Sequence, residues 1–188
     1  MKPAHELILG GARSGKSRLA ETRAADWLAA APGRSAVLVA TAMAGDDEMA
    51  ARIQRHQQDR AARVPTLATV EAPMALAAAL RAHAAPDRLL LVDCLTLWIT
   101  QCLMPPGGTG LDHDTWRREE QALLDVLDDL LLPVVLVSNE IGLGVLPMSR
   151  EARACVDALG RLHQQVAARC ARVTLMVAGC PLVVKDMR

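Results

Sequence analysis

The stretch that decides the fold is Gly10-Gly11-Ala12-Arg13-Ser14-Gly15-Lys16-Ser17, which fits the phosphate-binding pattern G-x-x-x-x-G-K-[ST] at every defined position. A short apolar run, Leu7-Ile8-Leu9, precedes it, and a helix-favouring run begins at Arg18. A strand, a glycine-rich loop and a helix are the context in which this pattern binds phosphate, and a chance glycine-rich turn would not need such flanks. The stretch therefore predicts a site for a nucleoside triphosphate.

The residue types of this phosphate loop each have a role in that chemistry. Glycines allow backbone N–H groups to turn inward around phosphate oxygens, and the following helix N-terminus adds a partial positive charge. Lys16 is expected to reach the β- and γ-phosphates, and the Ser17 hydroxyl is expected to ligate Mg²⁺. Lys16 is thus the first candidate catalytic residue, and Ser17 the first candidate metal ligand.

Composition limits the class of protein. The 188 residues suggest one domain, residues 1–188, and their formal net charge of +0 gives no electrostatic reason to expect nucleic acid as a partner. The five cysteines are odd in number and lack C-x-x-C spacing, so reduced thiols in the cytoplasm are expected. No signal-peptide layout and no apolar run of about 20 residues is present, so no integral membrane segment is predicted.

Apolar runs alternate with helical patterns along the chain. Strands are predicted at 7–9, 36–40, 89–92, 134–138 and 173–178, and helices at 16–31, 47–58, 74–83, 115–131 and 151–169, with a further helix possible at 94–103. The stretch 60–69 is predicted to be irregular. The alternation predicts a doubly wound α/β fold with a mostly parallel sheet flanked by helices.

Polar residues stand where several of these strands end. Thr41, Asp93 and the pair Asn139-Glu140 follow apolar runs, and ligands in open α/β sheets lie beyond the carboxyl ends of the strands. Asp93, at the end of a strand neighbouring the phosphate loop, could hold Mg²⁺ or its water shell. A turn or helix N-cap role for Asp93 is equally compatible with the pattern, because a helix could begin at Cys94.

His56 is the histidine with a defined position on a helix face. Met49, Ile53 and His56 fall at i, i+4 and i+7, so His56 is expected on or beside the inward face. A packing role and a catalytic role both fit that placement. Spacing alone finds no Ser/His/Asp set and no metal-binding set among the other histidines.

Together these motifs resemble one family, the bifunctional adenosylcobinamide kinase/adenosylcobinamide-phosphate guanylyltransferases of cobalamin biosynthesis. The matching pieces follow the family order over nearly the whole chain: the phosphate loop; Ala40-Thr41-Ala42; Asp46-Asp47-Glu48-Met49 with Arg52-Ile53 and His56; Thr69-Val70-Glu71-Ala72-Pro73; Val92-Asp93-Cys94-Leu95-Thr96-Leu97-Trp98; Ser138-Asn139-Glu140-Ile141-Gly142-Leu143-Gly144; Gly160-Arg161-Leu162; and Val177-Ala178-Gly179 with Pro181-Leu182.

The resemblance implies a RecA-like P-loop NTPase fold, two reactions and a homotrimer. The first reaction phosphorylates the aminopropanol hydroxyl of adenosylcobinamide with ATP or GTP, and the second transfers GMP from GTP to that phosphate. His56 matches the family's guanylylated histidine. The nucleotide contacts fall on the phosphate loop and on Ala40, Thr41, Ala42, Gln57, Glu71 and Asp93, with Ser17 and Asp93 at Mg²⁺.

The chain departs from the family pattern in two stretches. The segment after His56, Arg60-Ala61-Ala62-Arg63-Val64-Pro65, is longer and lacks the usual Trp, and Ser149 with Arg153-Ala154-Cys155-Val156 replaces the usual residues after Gly144. The second departure concerns contacts to the corrinoid. Two other classes of function remain open on the sequence: a P-loop small-molecule kinase without guanylyl transfer, and a nucleotide-binding regulatory protein.

Overall fold

A computed structural model describes residues 4–45, 47–145 and 147–187 of the chain, with the side chain of Arg52 excepted. Asp46, one of the residues that carry the resemblance, lies outside this set. The strands are β1 Glu6–Gly10, β2 Ser35–Ala40, β3 Ala68–Glu71, β4 Arg88–Asp93, β5 Val134–Asn139, β6 Arg172–Val177 and β7 Cys180–Asp186. The helices are α1 Lys16–Ala29, α2 Asp47–Arg63, α3 Leu76–Ala82, α4 Leu95–Leu103, α5 His113–Asp129 and α6 Arg150–Arg169.

All seven strands form one sheet in the order β3-β2-β4-β5-β1-β6-β7. Strands β1 to β6 pair in parallel, and β7 pairs antiparallel with β6. The predicted α/β fold with a mostly parallel sheet is confirmed. Strand β1, which leads into the phosphate loop, lies between β5 and β6, so the loop leaves the sheet near its middle.

Helices cover both faces of the sheet, which explains the continuous apolar runs of the central strands. Leu7 packs in one apolar core, with α3 to α6, whereas Ile8 packs in the other, with α1. Leu90 and Val92 likewise face the first core, while Leu89 and Leu91 face the second. Because successive strand residues point to opposite faces, a strand buried on both faces needs apolar residues at every position.

The prediction for residues 60–69 was wrong at both ends of that stretch. Helix α2 continues to Arg63 instead of ending at residue 58, and β3 begins at Ala68. Strand β7 was also not predicted. Both missed strands lie at the edges of the sheet and are largely exposed, so they lack the apolar signal by which buried strands are recognised. The possible helix at 94–103 is confirmed as α4.

The start of β1 is held by the buried ring of His5. Its Nδ1 accepts the Val134 N–H at 3.1 Å, and its Nε2–H donates to the Leu127 carbonyl at 2.9 Å. Both bonds are made by the neutral ring only. Burial lowers the pKa of His5, although the Leu127 carbonyl opposes this effect.

We therefore expect the free energy of unfolding to fall as the pH drops below about 6.5, the ordinary histidine value. Over that range the unfolded chain binds a proton at His5 that the folded chain refuses, and the loss continues until the lowered folded pKa is reached. Urea unfolding between pH 8 and 5 measures the slope. His5→Asn, which keeps a donor and an acceptor, should flatten it, whereas replacing the exposed His113 with Asn should not. Equal slopes in all three proteins would contradict this account.

Candidate nucleotide site

The phosphate loop connects the last residue of β1 to the first residue of α1. Gly10 has φ +153°, and a Cβ there would lie 2.6 Å from the Met176 carbonyl oxygen and 2.7 Å from Ser14 Oγ. Gly15, the N-cap of α1, has φ +96° and contributes no side-chain cap to the helix. The first turn of α1 also holds no acidic residue, so its N–H groups are suited to an anion.

The turn between β6 and β7 supports this loop from one side. The Gly179 N–H donates to the Ser14 carbonyl at 3.1 Å, and Met176 on β6 lies against Gly10. Ala178 and Gly179 both have positive φ values, 50° and 80°, which suits a tight hairpin turn. The C-terminal hairpin therefore fixes the conformation of the phosphate loop.

Lys16 lies under the loop rather than in solvent. Its Nζ donates to the Gly11 carbonyl at 2.6 Å and lies 3.4 Å from Ser14 Oγ, and only 7% of the residue is exposed. The ammonium group is thus already directed to the concave side of the loop, where the motif predicts phosphate.

A cavity of about 1040 Å³ opens beside the loop at the carboxyl ends of the strands. It brings together most of the residues predicted to contact nucleotide, namely Ala12, Arg13, Ser14, Gly15, Lys16, Ser17, Ala40, Ala42, His56, Gln57, Glu71 and Asp93. Gly10, Gly11 and Thr41 do not line it. That these residues bind nucleotide remains a prediction, but the geometry assembles them around one space.

Thr41 is fully buried and has a different set of contacts. Its Oγ1–H donates to the Cys94 carbonyl at 2.7 Å while the same oxygen accepts the Cys94 N–H at 2.8 Å. The Thr41 carbonyl accepts from Gln101 Nε2 at 2.7 Å. Thr41 therefore holds the ends of β2 and β4 together and does not reach the cavity.

The end of β4 lies farther from the phosphate loop than predicted. Strand β5 separates β4 from β1, so Asp93 is not on a strand adjacent to the loop. Its half-buried side chain nevertheless lines the cavity together with Ser17. A hydroxyl and a carboxylate are hard oxygen donors, the type that Mg²⁺ takes beside substrate phosphates, so the pair fits that ion.

His56 does not lie on the inward face as predicted. It is exposed, whereas Met49 and Ile53 on the same stripe are half-buried. Helix α2 forms one wall of the cavity, and His56 lines that wall beside open space. The packing role for His56 is therefore not supported, because its ring is not packed in the core.

The sequence reasoning missed cationic residues on the same wall. Arg55 and Arg60 line the cavity, as does Arg63, which pairs with the buried Glu21 and with Asp59. Arg60 follows His56 by four residues, so the helical period would have revealed it had the helix not been ended at residue 58. Positive charge on this wall favours a polyphosphate ligand.

Ser138, Glu140 and His163 also meet, although their spacing gave no sign of it. His163 Nε2 lies 2.7 Å from Ser138 Oγ, and His163 Nδ1 lies 3.5 Å from Glu140 Oε2. Ser138 Oγ lies 3.1 Å from Thr96 Oγ1, which accepts the Asn139 N–H at 2.7 Å. Burial lowers the pKa of His163, while the Glu140 carboxylate opposes this effect.

Residues 6–184 match the family described as cobinamide kinase / cobinamide phosphate guanyltransferase. The chain belongs to this family. It is 51% identical over 180 residues to the bifunctional adenosylcobalamin biosynthesis protein CobP of Pseudomonas aeruginosa, with 96% of each chain covered. It is 38% identical over 188 residues to CobU of Escherichia coli K12, described in the same words, with 95% of this chain and 98% of CobU covered. The family membership indicated by the motifs is confirmed.

Solved structures support the P-loop NTPase fold of this family member. A solved ATPase domain aligns with a TM-score of 0.55 at 11% identity, covering 99% of this chain and 78% of its own. The flagellar accessory protein FlaH of Methanocaldococcus jannaschii aligns with a TM-score of 0.53 at 11% identity, covering 97% and 78%. In the part of the family member that the structure describes, no helix combines the length and apolarity needed to span a membrane.

Replacing Asp93 in this cobinamide kinase family member with asparagine should lower turnover in both reactions by about 10- to 100-fold, the scale on which groups supporting a metal site act. The loss follows from removing a carboxylate charge beside Ser17 while keeping the side-chain shape. Steady-state kinetics at several Mg²⁺ concentrations, combined with thermal unfolding, would measure the effect. A collapse of stability with normal turnover per folded molecule would make Asp93 a structural residue instead.

Proposed function

We propose that this chain phosphorylates the hydroxyl of adenosylcobinamide with ATP or GTP and then transfers GMP from GTP to the new phosphate through a covalent bond to His56. The observation that carries the proposal is that the phosphate loop and His56 line one cavity. Both reactions start from a triphosphate, so one loop can serve both.

In guanylyl transfer, the phosphate loop holds the β- and γ-phosphates of GTP, and neutral His56 attacks the α-phosphorus. A nitrogen–phosphorus bond forms, the bond from the α-phosphorus to the bridging oxygen breaks, and pyrophosphate leaves. Covalent catalysis of this kind divides one transfer into two in-line steps. An oxygen of adenosylcobinamide phosphate then attacks the same phosphorus, and His56 is released.

Lys16 and the loop N–H groups stabilise the charge that develops on the leaving pyrophosphate. Mg²⁺, when bound by Ser17 and Asp93, supplies further neutralisation of phosphate charge. Ala40, Ala42, Gln57 and Glu71 line the part of the cavity between β2, β3 and α2 and are proposed to contact the guanine nucleotide.

In the kinase step the same loop presents the γ-phosphoryl group, and His56 has no covalent role. The acceptor oxygen attacks the γ-phosphorus, the bond to the β–γ bridging oxygen breaks, and a nucleoside diphosphate leaves. Asn139, at the end of β5, lines the cavity beside the loop and is suited to contact this phosphate. We further propose that residues 1–188 act as one catalytic domain, in a homotrimer in the cytoplasm.

Incubation with GTP labelled either at the α- or at the γ-phosphorus tests the proposal. After denaturation, the α-label and not the γ-label should remain on the protein, and adenosylcobinamide phosphate should discharge it. Phosphorylation of adenosylcobinamide without any α-label on the protein would indicate a kinase without the covalent step. Nucleotide binding without turnover of either corrinoid would indicate a regulatory protein.

A further inference from the structure

A second cavity, of about 470 Å³, lies on the other side of the phosphate loop from the proposed nucleotide cavity. Ala12, Arg13 and Ser14 line both cavities, so the loop is their common wall. The remaining wall of the second cavity is mainly apolar and includes the exposed side chains of Leu143 and Val177.

Glu140 supplies the carboxylate in the wall of this second cavity. It follows the last residue of β5, and its N–H donates to the Gly10 carbonyl at 3.0 Å, which fixes it beside the start of the phosphate loop. Its side chain is 23% exposed, so it is held by the protein and still open to a ligand. Oε1 accepts the Gly142 N–H at 3.0 Å.

The other oxygen of Glu140 is held by the buried His163. An ionised carboxylate only accepts hydrogen bonds, so the network places the ring proton on His163 Nδ1, facing Glu140 Oε2. The unprotonated Nε2 then accepts from the hydroxyl of Ser138, whose oxygen accepts from Thr96. Ser138 is fully buried and cannot reach a substrate, so this network orients Glu140 and does not form a serine nucleophile.

We propose that Glu140 is the general base that takes the proton from the acceptor hydroxyl in the phosphorylation step, and that the second cavity holds the hydroxyl-bearing end of the acceptor. This inference rests on the proposed kinase function. The O–H bond of the acceptor breaks, its proton passes to a Glu140 oxygen, and the acceptor oxygen forms the new bond to the γ-phosphorus while the nucleoside diphosphate leaves. His163 is a positioning residue that acts through Glu140.

The two reactions of the family make this role testable, because only one of them removes a proton from a hydroxyl. The acceptor of guanylyl transfer is a phosphate, which is already ionised and needs no base. A general base contributes about 10²- to 10⁴-fold, so Glu140→Gln should lower the kcat of phosphorylation by that factor. Transfer of GMP to pre-formed adenosylcobinamide phosphate should fall by much less. Glu151→Gln, a change of an exposed carboxylate on α6 outside both cavities, is the matched control.

His163→Gln tests the positioning role through non-additivity. It should lower the kcat of phosphorylation in the wild-type background and have no further effect in the Glu140→Gln background, as expected for residues that act through one another. A merely structural role for His163 would lower both backgrounds equally. Leu143→Asp tests the cavity without touching the network; because Leu143 is exposed, the fold should survive, and the KM for adenosylcobinamide should rise while that for ATP should not.

Glu140→Gln phosphorylation within a few-fold of wild type, or an equal loss of both reactions in a folded variant, would overturn the inference. Should Glu140→Gln fail to fold, an unchanged KM for adenosylcobinamide in Leu143→Asp would overturn it. A wild-type chain that does not phosphorylate adenosylcobinamide would instead overturn the proposed function, and the inference with it.

Discussion

Replacing Lys16 with alanine should suppress both phosphorylation and guanylyl transfer by about 10²-fold or more, on the scale of losing one charge-stabilising donor. The reason is geometric: the buried ammonium is directed to the concave side of the only phosphate-binding motif found in the sequence, and both reactions need that motif. The expected pattern is a loss in kcat/KM for both corrinoid substrates.

Lys185→Ala is the matched control for this loss. It removes the same charge from β7, where Lys185 donates to the Ala167 carbonyl away from both cavities. Thermal unfolding of both variants separates an effect on chemistry from an effect on the loop itself, since Lys16 also bonds the Gly11 carbonyl. Near-normal kcat/KM in either assay of Lys16→Ala would reject the idea of a shared phosphate loop.

The centre of the fold was predictable because its signals are local. The phosphate loop is a contiguous motif, and the strands that surround it are buried on both faces and therefore apolar throughout. The edge strands were not predictable for the opposite reason. β7 is exposed and begins Cys180-Pro181, and Pro is tolerated there because an edge strand leaves N–H groups unpaired.

Residue types at strand ends predicted where the site lies but not which strands adjoin. The order β4-β5-β1 places Asp93 one strand farther from the loop than expected. Strand order depends on how helices pack over the sheet, and no local pattern at Asp93 records it.

The network around Glu140 illustrates the same limit. Ser138 and His163 are 25 residues apart and come from a strand and a helix that meet only in the folded protein. The apolar run before Ser138 predicted a strand end, and the amphipathic pattern around His163 predicted a helix face. Their contact required the packing of α6 on the sheet. The sequence therefore predicts residues that can carry chemistry more readily than the partners that orient them.

Replacing His56 with alanine should abolish covalent labelling by α-labelled GTP and with it guanylyl transfer, while phosphorylation of adenosylcobinamide should survive at least in part. His56 is exposed on the cavity wall formed by α2, so its removal should leave the free energy of unfolding almost unchanged. The adduct on the wild-type protein should behave as a phosphoramidate, lost in mild acid and retained in alkali, whereas a phosphate ester of Ser or Thr would resist mild acid.

The matched control is His113→Ala, since His113 is exposed like His56 but lies at the start of α5 and lines neither cavity. It should label as wild type does. Labelling that persists in His56→Ala, or that withstands mild acid, would mean that another residue is the nucleophile. Because the exposed ring is not packed in the core, a loss of both reactions in a well-folded His56→Ala protein would contradict the division of roles between the two steps, and would make His56 a residue that binds nucleotide in both.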